Sequence, residues 1–456
     1  MPSPTHTSLE RRLGPFDGAA IVVANVVGAG ILFTPPAIAS MVPHPIGFLS
    51  TWIAGGVLAF FGAMAYAELA ALRPRAGGEY VYLREAYGPL AGFMTGWTSF
   101  VAGFAGAMAA SAIFLIIVLN RFIPGVSDPA PFFTIPIPYV PLTLSRHTLL
   151  AIIVVWLFAV VHIVGVGPGR AVMNILATLK ITALLIFIAL GFSIGAGTGT
   201  NLQQVAGPVS ATNWLLALVP VMFTYSGWNA AAYMAEEIRD PGRNLPRALL
   251  MGTFAVIIIY ALLNTLYLYS MPVGELAAVK GSVFDLIGER MLGARAGAIL
   301  ALVAIVSLMA GLNAWTFAGP RVYYAMARDG VFFPAAAQVH PKFKTPHVSI
   351  VAQALWASIL ILTGKLDALS NYVGFAITLF AGIAVAAVFV LRARDPNAPR
   401  PYKTLGYPIA PAIFVLASLA IVVNAVYRNP GPSALGLLVI GSGIPLYMWL
   451  TRRRRP

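Results

Sequence analysis

The 456-residue chain has no cysteine. Disulfides, thiolate nucleophiles and cysteine-containing metal sites are thereby excluded, and nothing follows about redox compartment. Charge is almost as scarce, with Asp, Glu, Lys and Arg making up 10% of the residues, against roughly 25% in a soluble domain. With 59% of residues hydrophobic, too little polar surface remains to cover a soluble core. Acidic residues are the rarer sign, 15 against 29 basic, for a net charge of +14. The Lys and Arg sit in loops between apolar runs and not along one polar face, so membrane topology accounts for them and no nucleic-acid partner is expected. The apolar/polar alternation of membrane β-strands is missing as well.

What remains is a series of apolar runs of about 20 residues or more, the length of helix that spans a hydrocarbon core roughly 30 Å thick. The expected fold is an all-α membrane protein with about twelve spans, near 16–41, 46–71, 87–119, 147–166, 170–196, 213–238, 246–271, 292–326, 347–363, 366–391, 407–427 and 433–451. With both termini cytoplasmic, inner loops and tails collect twenty of the 29 basic residues, Arg452 to Arg455 among them, and the outer side receives seven. That asymmetry fits an even number of spans. Arg11 and Arg12 before an apolar stretch, with Ala37-Ile38-Ala39 beyond it, resemble a signal peptide. The apolar run is about twice the 7 to 15 residues of a signal h-region, so the first span is expected to be retained. Outside the spans, Pro-rich 120–146 is expected to be irregular, 273–290 to form a short surface helix, and 395–411 to be an inner linker.

Two spans carry small residues where a helix should be most regular. Span one reads Val26-Val27-Gly28-Ala29-Gly30-Ile31, and span six reads Phe223-Thr224-Tyr225-Ser226-Gly227-Trp228-Asn229. Glycine weakens a helix interior by about 1 kcal/mol relative to alanine. Such residues either let helices pack closely or mark an unwound backbone, which is tolerable at membrane depth only when it is buried in protein or lines a polar cavity. In the second case a half-helix starting after Gly28 offers N–H groups to an anion, and freed carbonyls accept from a cation. A zwitterionic amino acid offers both charges. Two such sites about 200 residues apart are what an inverted five-helix repeat produces.

Further motifs accompany these: Tyr66-Ala67-Glu68-Leu69 leading to Gly77-Gly78-Glu79-Tyr80, Glu236-Glu237-Ile238-Arg239-Asp240-Pro241-Gly242-Arg243-Asn244-Leu245-Pro246, and Pro320-Arg321-Val322-Tyr323-Tyr324-Ala325-Met326-Ala327-Arg328-Asp329-Gly330. Together with the two Gly-containing segments they resemble the amino acid–polyamine–organocation superfamily, and within it the L-type amino acid transporter branch. The resemblance implies a LeuT-type fold, with five-helix repeats over about 16–196 and 213–391 and two extra helices over about 407–451. It implies an amino acid substrate between the breaks. The N–H groups of Ala29 and Gly30 would bind its carboxylate, the carbonyls of Val26, Phe223 and Ser226 its amino group, with Gly28 and Gly227 at the breaks, Phe223 as a gate and Asn229 as a polar contact. Ala29 stands where serine is common in that turn, so a hydroxyl contact is lost and the N–H remains. Relatives joined to a glycoprotein heavy chain use an extracellular cysteine, so no disulfide-linked partner is expected here.

Charges at membrane depth are costly and usually paired or functional. Lys180, about ten residues into span five, is either a snorkelling lysine or, as the resemblance implies, the residue that fills the place of a sodium ion and tethers span one to span five. Glu68, Glu236 and Glu237 are either in static salt bridges with nearby Arg73, Arg239 or Arg243 or, with Arg239, form a cytoplasmic gate. His162 is expected to be an interhelical hydrogen-bonding residue, and Asn313 either lines the cavity or bonds a neighbouring helix. No His-x-x-x-His, paired aspartates or Ser with a His partner occurs in the spans, so no catalytic residue, metal or cofactor is expected. The function expected is sodium-independent exchange of neutral amino acids by alternating access, since the contacts named carry no acid and no carboxylate adjoins the site to carry a proton. Proton-coupled symport, a cationic amino acid or polyamine permease, and a non-transporting sensor are the alternatives.

Overall fold

The computed structural model describes residues 9–137, 141–364, 366–428 and 430–452. The basic tail Arg453 to Arg455 and positions 138–140 of the Pro-rich segment lie outside the described residues. Among the described residues, eleven helices are long and apolar enough to cross a membrane. The helix His347–Thr363 is apolar but shorter, at 17 residues.

Local chemistry sets the ends of these helices. Pro15, Pro45, Pro89 and Pro241 stand in the first turn of theirs, where the missing N–H is not needed. The Asp17 carboxylate accepts the Gly14 N–H at 2.7 Å, and Ser145 and Ser210 cap the helices that follow them, each occupying a donor the first turn leaves over. Spans four and five, Arg146–Val164 and Val166–Ser193, are joined by Gly165 alone. Its φ of 153° is one that side chains rarely permit.

Packing relies on missing side chains. A Cβ on Gly55 of span two would lie 2.3 Å from Val221 Cγ1, and one on Gly252 of span seven 2.6 Å from Val22 Cβ. Backbones approach closely there, and dispersion and not water exclusion supplies the attraction between helices in lipid. The surface carries large exposed apolar side chains, including Leu157, Val160, Ile175, Ile186, Leu416 and Val423, as a bilayer solvent allows.

Two segments between the spans differ from expectation. Within 120–146, Pro131–Ile135 pairs antiparallel with Leu142–Ser145 as a hairpin. The strands hold the β-formers Phe132, Phe133, Thr134, Ile135 and Thr143. Pro131 heads its strand and Pro136 follows it, so neither breaks the ladder. The 273–290 segment forms two helices, Val273–Ala278 and Val283–Leu292, and is not one surface helix. Val283, Ile287 and Met291 recur at i, i+4 and are all buried, so the apolar face turns into the protein.

Gly252→Leu should therefore lower the melting temperature of the detergent-purified protein, as overpacking costs about 1–3 kcal/mol. Gly167→Ala, where a Cβ meets nothing within 4 Å, should leave it within error in the same thermal-shift assay.

Candidate functional site

Span one is interrupted. Its first half, Pro15–Val26, gives way to non-helical Val27 (φ −75°, ψ 96°) and Gly28 (φ −147°, ψ −148°) before a short helix over Ala29–Phe33. The break strips the last carbonyls of the first half of their helical partners, and neighbouring helices supply replacements. From span five, Lys180 Nζ donates to the Ala24 carbonyl at 3.2 Å and to the Val27 carbonyl, with its side chain wholly buried. A cation suits this place because the C-terminal end of a helix is the negative end of its dipole. From span seven, the Tyr260 hydroxyl lies 2.8 Å from the Val26 carbonyl and 3.1 Å from the Thr224 carbonyl. One phenol thus joins span one to span six.

Span six is interrupted at the same depth. The helix Ala211–Tyr225 ends at Ser226 (φ −56°, ψ 143°), and a 3₁₀ segment over Ala230–Glu237 follows. Gly227 sits between them with φ 101°, and a Cβ there would lie 2.9 Å from Asn25 Cβ and 3.2 Å from its carbonyl carbon. Backbone conformation and close approach to span one both require glycine. Gly30 packs against Thr224 in the same way, with its hypothetical Cβ 2.9 Å from Thr224 Cγ2. The two breaks therefore touch. Two carbonyls named for the amino group already accept bonds, Val26 from Tyr260 and Phe223 from the Ser226 N–H at 3.0 Å. Each oxygen keeps a second lone pair.

A cavity opens beside the span-six break, walled by Phe223, Ser226, Gly227, Asn229 and Tyr233. Span three forms the facing wall from Thr95 to Ala110, roughly 20 Å of helix at about 1.5 Å per residue. Its middle, Ser99–Gly103, is a π-helical turn, a distortion common at functional sites. There the Val101 carbonyl accepts from the Trp356 indole N–H at 2.8 Å and the Ser99 carbonyl from the Tyr323 hydroxyl at 3.3 Å. Trp315, Ala376, Ile377 and Phe380 complete the lining.

One lining residue corrects the expectation that no carboxylate adjoins the site. Glu79, in the helix Glu79–Tyr87 between spans two and three, is 6% exposed and reaches the cavity. Asn229 Nδ2 donates to its Oε1 at 2.5 Å and the Thr95 hydroxyl to its Oε2 at 3.4 Å. Burial pushes the Glu79 carboxyl above the ordinary range. Asn229 also donates to the Tyr233 hydroxyl at 3.1 Å. The signal was present in Gly77-Gly78-Glu79-Tyr80, but a residue outside the spans gave no reason to place its carboxylate on a cavity deep in the bundle. Tyr260 and Tyr233 were missed because a tyrosine in an apolar run reads as core.

The acidic residues proposed for a gate are paired, but not with Arg73, Arg239 or Arg243. Glu237 and Arg321 of span eight form a bidentate pair at 2.8 and 3.1 Å with both side chains buried. Glu236 binds Arg328 at 2.8 Å. Glu68 binds Arg392 at 2.7 Å and Arg400 at 3.3 Å, and accepts the Thr404 N–H at 2.7 Å. Arg73 binds Glu85 instead. These carboxylates point into the bundle and meet other helices, whereas arginines nearby in sequence have passed the helix end. Arg239 takes part through its backbone: its side chain is exposed, and its N–H donates to the Leu13 carbonyl at 2.9 Å. The Arg12 and Leu13 N–H groups donate to the Glu237 carbonyl, both at 2.9 Å, which sews the residues before span one to the end of span six. Deeper in the bundle, His162 Nε2 lies 2.9 Å from Asn313 Oδ1, joining spans four and eight. Among the described residues no cluster of three or more His, Asp or Glu could hold a metal.

Two substitutions probe this geometry. Tyr260→Phe removes a buried hydroxyl from two carbonyls and should cost about 1–3 kcal/mol of stability, read by thermal shift. Glu237→Gln leaves the Arg321 charge buried without its counter-charge and should destabilise the protein by about 3–5 kcal/mol, read by melting temperature in detergent.

Residues 13–450 match the family model described as amino acid permease. The mouse large neutral amino acids transporter small subunit 2 is 30% identical over 452 residues, covering 96% of this chain and 81% of that one. The human cystine/glutamate transporter is 28% identical over 98% of this chain and 86% of its own length. The serine/threonine exchanger SteT of Bacillus subtilis is 27% identical over 98% of each.

Proposed function

The chain belongs to the amino acid permease family, a family of multi-pass membrane transporters of amino acids, and from that premise we propose that it exchanges amino acids by alternating access without sodium. The observation that carries this reading is Lys180, whose ammonium group holds the Ala24 and Val27 carbonyls of the broken first span. A cation bound at such carbonyls would stand in the same place, so the lysine supplies a fixed charge where a transporter driven by sodium needs a dissociable one. Exchange no longer draws support from a missing carboxylate, since Glu79 lines the cavity; it draws support from a relative named as an exchanger.

In this reading the architecture is LeuT-type, with twelve spans counting His347–Thr363, five-helix repeats over about 16–196 and 213–391, two further helices over about 407–451, and both termini cytoplasmic. The substrate's carboxylate meets the N–H groups of Ala29 and Gly30 after Gly28, and its amino group meets carbonyls of Val26, Phe223 and Ser226 beside Gly227. Phe223 covers it. No acidic side chain lies at these contacts, which supports neutral amino acids. Glu68, Glu236 and Glu237 hold the cytoplasmic side closed through Arg392, Arg328 and Arg321, and alternate access requires such pairs to part. A chain without cysteine cannot carry a disulfide-linked partner.

Proteoliposomes loaded with an unlabelled amino acid mixture test the reading. Uptake of labelled amino acid should rise about fivefold or more over empty vesicles and be unchanged when sodium is replaced by choline. Uptake that needs sodium, or that is indifferent to internal amino acid, would overturn it.

A further inference from the structure

The segment that follows span ten carries more positive charge than its surroundings answer. Residues 392–403 hold Arg392, Arg394, Arg400 and Lys403 against a single acid, Asp395. Basic residues beyond the end of a span are ordinary signals of topology. Here three of them, Arg392, Arg400 and Lys403, line one cavity of about 360 Å³ together with Phe389, Pro396 and Tyr407. The last turns of the helix Leu366–Arg394 and the linker leading to the helix Ile409–Arg428 form it.

Which of these charges is compensated decides what the cavity can hold. Among the described residues Glu68 is the one carboxylate that pairs with them. It accepts from Arg392 Nε at 2.8 Å, from Arg392 Nη2 at 2.7 Å and from the Thr404 N–H at 2.7 Å, and it lies 3.3 Å from Arg400 Nε. A carboxylate accepts about four bonds, so Glu68 has no capacity left for a further cation. Three cations against one carboxylate leave two positive charges unanswered. Arg400 spends its two Nη groups on the carbonyls of Leu391, Asp395, Pro396 and Ala398, at 2.8 to 3.3 Å, and so contributes charge but no free donor. The free donors belong to the other two: Arg392 Nη1 makes no bond among the described residues, and exposed Lys403 makes no bond or ion pair there. The Arg392 guanidinium lies 3.7 Å from the centre of the Tyr407 ring, so ion pair and ring together hold it in place. Arg394 is turned to the Glu85 and Ala86 carbonyls, and Asp395 is exposed and does not line the cavity.

A concave site with a surplus of positive charge, an arginine and a lysine with donors to spare suits a phosphate group. The neighbouring helix says what carries the phosphate. Two residues beyond Tyr407, span eleven begins an exposed apolar stripe of Ile409, Ile413, Leu416 and Val423, which share one helix face and suit acyl chains and not water. We propose that the cavity binds the phosphate of an anionic phospholipid, with Lys403 and Arg392 as donors, Arg400 as a fixed charge, and the acyl chains along the stripe on span eleven. Basic pockets between spans hold lipid head groups by this chemistry. A zwitterionic lipid brings a cation along with its phosphate, which two unanswered positive charges repel. A soluble phosphate can use the donors but gains nothing from the stripe. The site requires only that the chain spans a membrane, and is independent of what the chain transports.

The test titrates the full chain, purified in a neutral detergent, with phosphatidylglycerol, with phosphatidylcholine of the same acyl chains, and with glycerol phosphate, and reads the melting temperature. Phosphatidylglycerol should raise it saturably, by about 2 °C or more at roughly a hundredfold excess over Kd, and the other two should leave it within error at the same concentrations. Lys403→Gln should move the phosphatidylglycerol midpoint to about tenfold higher concentration, and Lys403→Arg should bring it back. Arg11→Gln, which removes an exposed arginine that has no part in the cavity, should leave the midpoint within about twofold of the wild type. An equal response to phosphatidylcholine would mean that the chains bind without the phosphate site, and equal midpoints in Lys403→Gln and Arg11→Gln would mean that net charge alone attracts the lipid. Glycerol phosphate acting at the lipid's concentration would make the ligand a soluble phosphate. Each of these three results overturns the proposal, and the first and third are read on the wild type, which needs no variant to fold.

Discussion

A helix broken inside a membrane must find partners for backbone groups that water cannot reach, and each one left bare costs several kcal/mol. In this protein that demand falls on the carbonyls of Ala24, Val26 and Val27, within one turn at the end of Pro15–Val26. Lys180 takes two carbonyls and Tyr260 a third, while also reaching one from span six. The lysine is itself expensive: a charge at the centre of a bilayer costs roughly 3 kcal/mol on insertion scales and more on others. It is tolerable because it faces the negative end of a half-helix and makes charge-assisted bonds, which are about twice as strong as neutral ones. Two liabilities, an unwound helix and a buried cation, offset each other, and neither would be stable alone.

The rest of the bundle is arranged around that solution. Glycines at Gly30 and Gly227 bring the two breaks into contact, so that the cavity beside them is walled by span six and by the distorted middle of span three. Ion pairs also fasten span six to span eight, and span two both to the helix Leu366–Arg394 and to the segment after it. The Glu237–Arg321 pair is buried on both sides and bidentate, a geometry in which losing one partner costs more than the pair contributes. Such contacts fasten these helices to one another, and any movement that separates them has to break the pairs.

Much of this was legible in the order of residues. Runs of apolar side chains located the spans because the bilayer dictates their length, and Gly28, Gly30 and Gly227 marked the breaks because glycine inside a helix needs a reason. Lys180 stood out because cations are rare at that depth. What could not be read was pairing between distant segments. Glu68, Glu236 and Glu237 have arginines a few residues away, yet their partners lie about 85 to 330 positions along the chain, since carboxylates in a bundle answer to the helix they face. Glu79 illustrates the same limit from the other side: its position outside any span hid a carboxylate that reaches the cavity. The Phe132 to Ile135 strand was masked by the prolines around it, which bound the hairpin without entering its ladder.

The central claim is that Lys180 stands permanently where a dissociable cation would otherwise complete the broken span. Its most direct test is exchange by Lys180→Met, reconstituted at matched density and assayed in sodium-free medium and again across a sodium series. The account predicts that exchange falls by about tenfold or more while Lys180→Met retains the length of the side chain, and that the loss tracks the charge. Exchange by the methionine variant at the wild-type rate in sodium-free medium would contradict it.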